Sequence, residues 1–404
     1  MGTTADLLVI GAGPAGTAAA ITAAAAGRRV VVIDRATFPR DKTCGDGLTT
    51  GALRWLEALG VPLDALGASV EVHDVVLVAP SGRRITLALP GVGQHARVMR
   101  RTDLDAALVE RAAATGANLE LGRALTELKS LPSGVEATLA DGSVVTAPFA
   151  IAADGHYSTA RRLLAPRDPP ARGEWSAFRQ YFTGVDDPRL WVLFERDLLP
   201  GYAWVFPLPG GRANVGFGML RAAGGDRTVN GKLLASTWRD LLARPVLRDV
   251  LGPGAARESP HRAWPIPSHL DPARLAHGRV LFAGDAAGVV DPMTGEGIAQ
   301  AFETGGLAAR ATADSGATPD AVAARYRADV HRALGRDLRF AALLQRVLAH
   351  PRGAELALRT VDLTPWTRRN FARWMFEDYP RAILFTPSRW DRQMLDPAGA
   401  YSSS

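Results

Sequence analysis

The 404-residue sequence predicts an α/β protein. A nucleotide-binding α/β unit is interrupted by an inserted antiparallel sheet and followed by a helical C-terminal region. Three observations predict it. The chain opens with a strand, a glycine turn, a helix and a second strand. Two later segments each run from a β-type stretch through an Asp-Gly or Gly-Asp pair into a helix. Between these pieces lie proline-rich stretches whose apolar residues alternate as in strands.

The opening unit reads "LLVIGAGPAGTAAAITAAAAGRRVVVIDR". Gly11, Gly13 and Gly16 form G-x-G-x-x-G: one glycine for the sharp turn, one for close approach to a pyrophosphate, one for packing helix on strand. Asp34 ends the second strand, placed for a ribose hydroxyl, and Arg35 follows it. Leu7 to Gly27 carries no charge and is long enough to span a bilayer. Its glycines, its proline and its alanine-rich second half instead predict a buried strand, turn and helix. No signal peptide is expected.

This motif calls for an ADP moiety without deciding between NAD and FAD. "FAIAADGHYSTARRLL" places Asp154 and Gly155 after a strand, and "GRVLFAGDAAGVVDPMTGEGIAQAFETG" places Asp285 likewise. Gly295 and Gly297 then lead into a helix whose first residue, Ile298, is expected to offer N–H to a flavin carbonyl. In this order the segments resemble the flavoprotein family of para-hydroxybenzoate hydroxylase, which has a Rossmann-type FAD-binding domain. The resemblance implies FAD, with Asp285 at its ribityl–phosphate region and Asp154-Gly155 near the pyrophosphate. "VMRRTDLDAALVERA" is similar to that family's arginine-led helix, implying Arg101 beside the cofactor, with Arg100 as the alternative. The expected FAD-binding domain comprises 1–75, 97–165 and 270–315. The substrate domain comprises 76–96 and 166–269, and the helical region 316–404.

The net charge is +6, and there are only three lysines, Lys42, Lys129 and Lys232. From Ala321 onward stand 14 Arg and no Lys against 8 acidic residues. Such a tail suits nucleic acid, an acidic ligand or an anionic membrane surface, and a solvated helical face is the plainer reading. Phe371, Trp374 and Met375, beside Arg368, Arg369 and Arg373, would share one helix face for lipid contact. Nucleic acid is not an expected partner. The expected location is cytoplasmic, peripheral at the membrane, and the oligomeric state is left open. The single cysteine, Cys44, excludes an intramolecular disulfide, a dithiol relay and a multi-thiolate metal site. No metal is expected.

In "LLPGYAWVFPLPGGRANVGFGML", Tyr202, Trp204 and Phe206 alternate onto one strand face, an aromatic wall. Gly216 and Gly218 are expected to leave room for a bound molecule. The Tyr-x-Trp-x-Phe-Pro run, the later Gly-x-Gly, and Pro39, Lys42, Cys44 and Gly45 of "FPRDKTCGDGLT" resemble the geranylgeranyl reductase family. The likeness covers roughly residues 6 to 310, and "CGDGLT" is similar to its actinobacterial branch acting on menaquinone. The resemblance implies reduction of carbon–carbon double bonds in an isoprenoid chain. Cys44 and Gly45 would lie beside the isoalloxazine, with Tyr202, Trp204 and Cys44 as catalytic residues. Tyr202, Trp204, Phe206, Gly216 and Gly218 would bind the apolar substrate. NADPH or a small redox protein is the expected electron donor. The alternative is an FAD-dependent monooxygenase of secondary metabolism. Loop packing is the plainer role for Cys44.

Overall fold

The computed structural model describes residues 2–63, 66–89, 96–166, 173–221, 229–368 and Phe371. Its centre is a six-stranded sheet in the order Ala276–His277, Val280–Phe282, Ala150–Ala152, Leu7–Ile10, Val30–Asp34, Asn118–Leu121. The strands are parallel except for the hairpin at Ala276–His277. Leu7–Ile10 is buried throughout, as a parallel strand covered on both faces must be. Helix α1 (Pro14–Ala25) is apolar on almost every side because it is buried on almost every side. The uncharged N-terminal stretch is thus core, not a membrane span, and no helix among the described residues is long and apolar enough to cross a membrane.

Helix α2 (Arg101–Ala114) packs on α1, and so does α3 (Ile298–Ala311). The contact between α1 and α3 is backbone to backbone. A Cβ on Gly305 would sit 2.1 Å from the Ala15 carbonyl oxygen.

The second large sheet joins the interrupting stretches. Its order is Ala256–Arg257, Trp175–Thr183, Arg212–Leu220, Ala203–Leu208, Leu190–Leu193, Asp74–Val78, Arg84–Ala88, with Arg262–Ile266 also pairing with Trp175–Thr183. All pairs are antiparallel except Leu190–Leu193 with Asp74–Val78. That parallel pair ties the early insertion to the late one. A small sheet of Gly47–Thr49, Ala96–Val98 and Val70–Glu71 fastens the cysteine loop between the two layers.

Two C-terminal helices close the assembly. In α4 (Pro319–Leu348), Val322, Tyr326 and Val330 enter the nucleotide-side core, and the Tyr326 hydroxyl donates to the Phe282 carbonyl at 2.7 Å. In α5 (Pro351–Val361), Leu358 and Val361 pack instead with Val75, Leu77, Ile85 and Leu87 of the inserted sheet. The pair therefore roofs the space between the sheets. Trp374 and Met375 lie outside the described residues. Phe371 packs partly buried against the inserted-sheet core.

Candidate active site

A single continuous cavity of about 1580 Å³ runs between the sheets. It exceeds the roughly 300–1,000 Å³ of an ordinary ligand pocket. One half is a groove lined by Gly11, Gly13, Asp34, Arg35, Arg101, Asp154, Gly155, Asp285, Gly295, Gly297 and Ile298. The turn is built by exclusion: a Cβ on Gly16 would stand 1.8 Å from the Gly11 carbonyl oxygen, and one on Gly11 2.4 Å from that of Ala153. Helix α1, N-capped by Gly13, has no side-chain cap and no acid in its first turn, and Gly13 and Pro14 line the groove, so its amide end is open to it. Asp34 is held by two backbone donors, Ala12 N at 2.7 Å and Ala36 N at 2.8 Å, each on a different oxygen. Asp154 has one buried oxygen, Oδ1, without a hydrogen-bond partner, and burial raises its pKa. This groove fits the phosphates, ribose and ribityl chain of FAD.

Arg101 lines the cavity and is nearly buried, gripped by Asp105 through two bonds of 2.8 Å. Arg100 turns away to Glu258. Ile298 lines the groove at the start of α3. The Ile298 and Ala299 amides already donate to Glu296 Oε1, at 3.0 and 3.1 Å, so that helix start is capped by its own glutamate.

The other half of the cavity is the aromatic chamber. Tyr202, Trp204 and Phe206 stand side by side, with neighbouring ring centroids 6.0 Å apart, and all three line it. The Tyr202 hydroxyl donates to the Thr294 carbonyl, which ties the wall to the loop before α3. Gly218 lines the cavity, but Gly216 does not. A Cβ on Gly216 would meet Trp204 Cζ2 at 2.4 Å, so its missing side chain makes room for the indole rather than for a bound molecule.

Against the wall lies the cysteine loop. A Cβ on Gly45 or Gly47 would approach Phe206 Cε2 at 3.4 or 3.3 Å, so the two glycines let the loop lie flat against the aromatic face. Cys44 is half-buried and lines the chamber. Burial raises its pKa, partly opposed by the Arg101 charge, so the thiol keeps its proton at neutral pH. Lys42 sits 4.1 Å over the Trp264 ring, and burial lowers its pKa against the pull of Asp285.

The sequence reading missed the groups behind this loop. Asp46 is fully buried and is the one non-glycine with positive φ, 65°, among the described residues. Its Oδ2 accepts from Tyr181 Oη at 2.7 Å and from Asn214 Nδ2 at 2.8 Å, while Oδ1 is buried without a hydrogen-bond partner. Burial pushes the Asp46 pKa up to about 6, against the pull of Asn214, Tyr181, Arg179 and Arg101. Arg179, also buried, bonds Asp41 at 2.6 Å and lies over the Tyr181 ring. The only sequence signal was an acid between two glycines.

Residues 4–182 match a family described as an FAD binding domain. The chain is 36% identical over 330 residues to a menaquinone reductase of Mycolicibacterium smegmatis, covering 79% of this chain and 78% of that protein. It is 33% identical over 314 residues to digeranylgeranylglycerophospholipid reductase 1 of Methanopyrus kandleri, covering 75% and 79%. The chain belongs to the geranylgeranyl reductase family. It is an FAD-dependent oxidoreductase. The same fold is seen in a geranylgeranyl bacteriochlorophyll reductase-like protein of Thermoplasma acidophilum, with TM-score 0.78 and 23% identity, covering 96% and 100% of the two chains. Within this family frame, the Pro39–Gly45 loop packs on the Tyr202–Pro207 strand and both line one chamber, although the sequence separates them widely.

Proposed function

We propose that the protein saturates carbon–carbon double bonds of an isoprenoid chain, as the names of its reductase relatives suggest. The observation that carries this reading is the chamber. Its wall is three aromatic rings, the cysteine loop lies against it, and the FAD groove opens directly into it. Bound FAD, once reduced, supplies hydride. The chain's own residues then do the rest. The rings hold an alkene that has nothing to hydrogen-bond, so shape and apolar contact must orient it. The walls exclude water. The Cys44 thiol holds a proton at Sγ, facing the chamber, for the carbon that does not receive hydride. The inserted sheet serves as the substrate-binding domain and the flanking segments as the FAD-binding domain. NADPH or a small redox protein is the proposed donor.

Peripheral contact with an anionic bilayer fits the far end of the cavity. Val347, Leu356 and Trp366 line it and are nonetheless 44%, 67% and 61% exposed. Leu343 and Leu363, also exposed, and exposed Arg346 and Arg352 lie close to these residues in sequence. A prenyl tail can pass from lipid to chamber along such a rim.

The test is anaerobic turnover of the reduced holoenzyme with a prenylated quinone, read by mass spectrometry. A gain of two hydrogens per double bond without oxygen supports the reading. Strict dependence on oxygen, with oxygen incorporated in the product, establishes the monooxygenase instead.

A further inference from the structure

Asn214 is fully buried in the strand Arg212–Leu220 and does not line the cavity. Its carboxamide nevertheless joins the aromatic wall to the cysteine loop. Oδ1 accepts from Trp204 Nε1 at 3.0 Å. Nδ2 donates to the Cys44 carbonyl at 2.8 Å and to Asp46 Oδ2 at 2.8 Å. Both amide protons are used, and the amide has only one workable orientation. Turned over, its oxygen would face a carbonyl and a carboxylate, and its N–H groups would face the indole N–H.

The remaining contacts leave a need for such a link. Gly45 and Gly47 lie against Phe206 by packing alone, and the loop's other bonds, from Gly47–Thr49 to Ala96–Val98 and from Asp41 to Arg179, reach neither the Trp204 indole nor the Cys44 carbonyl. Tyr181 reaches Asp46 but touches neither the indole nor the Cys44 backbone by hydrogen bond. Asp46 holds a left-handed conformation that a non-glycine residue seldom adopts, and its side-chain bonds help the loop keep it.

We propose that Asn214 is a positioning residue: it locks the backbone of Cys44 and the indole of Trp204 at one fixed relation where the loop packs on the aromatic wall. The inference rests on the alkene-reduction reading for its effect on rate. The clamp itself is measurable without a substrate, because Cys44 is the only thiol in the chain.

The experiment uses the holoenzyme and two variants, Asn214→Leu and Asn214→Asp, compared at equal FAD content. Cys44 is titrated with an aromatic disulfide, and turnover is followed on a prenylated quinone. Asn214→Leu is expected to react with the disulfide about tenfold faster than wild type, as the loop's hydrogen bonds no longer hold it closed. Its alkene reduction should fall about 10²-fold while flavin reduction by dithionite is unchanged. Asn214→Asp keeps the acceptor for Trp204 but, once ionised, cannot donate and faces Asp46. Two such carboxyls share one proton at low pH, and the shared proton restores one donor. Relative to wild type at each pH, this variant should therefore be loose and slow at pH about 8 and recover towards pH about 5.5. A residue serving only as packing would show no such recovery. If Asn214→Leu loses its FAD, Asn214→Asp carries the test alone. Wild-type thiol reactivity in the FAD-loaded variants overturns the clamp. A wild-type enzyme that reduces no prenyl chain sinks the functional reading instead, and the thiol rates still decide the clamp.

Discussion

The two halves of the cavity are built by opposite means. The nucleotide groove is local: Ala12 and Asp34, 22 residues apart, bond directly, and the glycines between shape one turn. The aromatic chamber is assembled from afar: Tyr181 meets Asp46 across 135 residues and Asn214 meets Cys44 across 170. The groove offers backbone amides and carboxylates to a ligand whose polar atoms are fixed. The chamber offers rings to a ligand that has almost none. A polar ligand can be held by a motif, whereas an apolar one needs a shape, and a shape requires tertiary structure.

The sharpest way to break that contrast is at the turn. Gly16→Ala places a methyl where 1.8 Å separates it from the Gly11 carbonyl oxygen. Overpacking of this kind costs roughly 1–3 kcal/mol or more. The variant should purify without FAD and melt earlier, and one that keeps wild-type FAD affinity would refute the cradle. Next comes Trp204→Ala. Prenyl reduction should drop about 10²-fold with FAD still bound, because the alkene is misplaced by about 1 Å. Loss of flavin in this variant would mean that the two halves are not separable.

Asp46 gives a third, thermodynamic comparison. Its pKa is about 6 in the fold, against 3.8 ordinarily. Between those values the folded protein holds a proton the unfolded chain has lost, so stability falls as pH rises. Relative to Asp46→Asn, wild type should lose roughly 2 kcal/mol between pH about 4 and pH about 6. Denaturant midpoints measured in parallel check this, and parallel curves would show that Asp46 titrates normally. Smaller still is the thiol. Cys44→Ala should lower alkene turnover severalfold at normal FAD content, and Cys44→Ser should retain more. Equal activity of both with wild type would leave Cys44 as loop packing. The smallest expected effect is at the rim: Arg346→Gln with Arg352→Gln should weaken flotation with anionic liposomes at low salt, each arginine contributing about 1 kcal/mol near the surface. No binding of wild type under those conditions would remove the membrane reading.

Legibility in the sequence followed the same divide. Gly11, Gly13, Gly16 and Asp34 were readable because the motif, strand and helix that place them are contiguous. The aromatic wall was readable because alternation in a single strand suffices. Gly216 was misread: alternation showed a gap in the strand but not that Trp204, paired across from it in the sheet, fills the gap. At Ile298 the sequence showed a helix start at the groove but not the rotamer of Glu296 that caps it. Asp46 and Asn214 could not be found from sequence, since nothing in either stretch names its distant partner.

The Tyr202 hydroxyl grips the Thr294 carbonyl, and Thr294 belongs to the loop that borders the FAD groove. One edge of the substrate wall and one edge of the cofactor groove are therefore a single piece of structure. Ligands on either side of such a piece exchange affinity in equal measure. Whatever factor FAD adds to the hold on an apolar chain, the chain must return to FAD. A protein purified with its lipid still seated should release its yellow colour more slowly than one stripped by detergent.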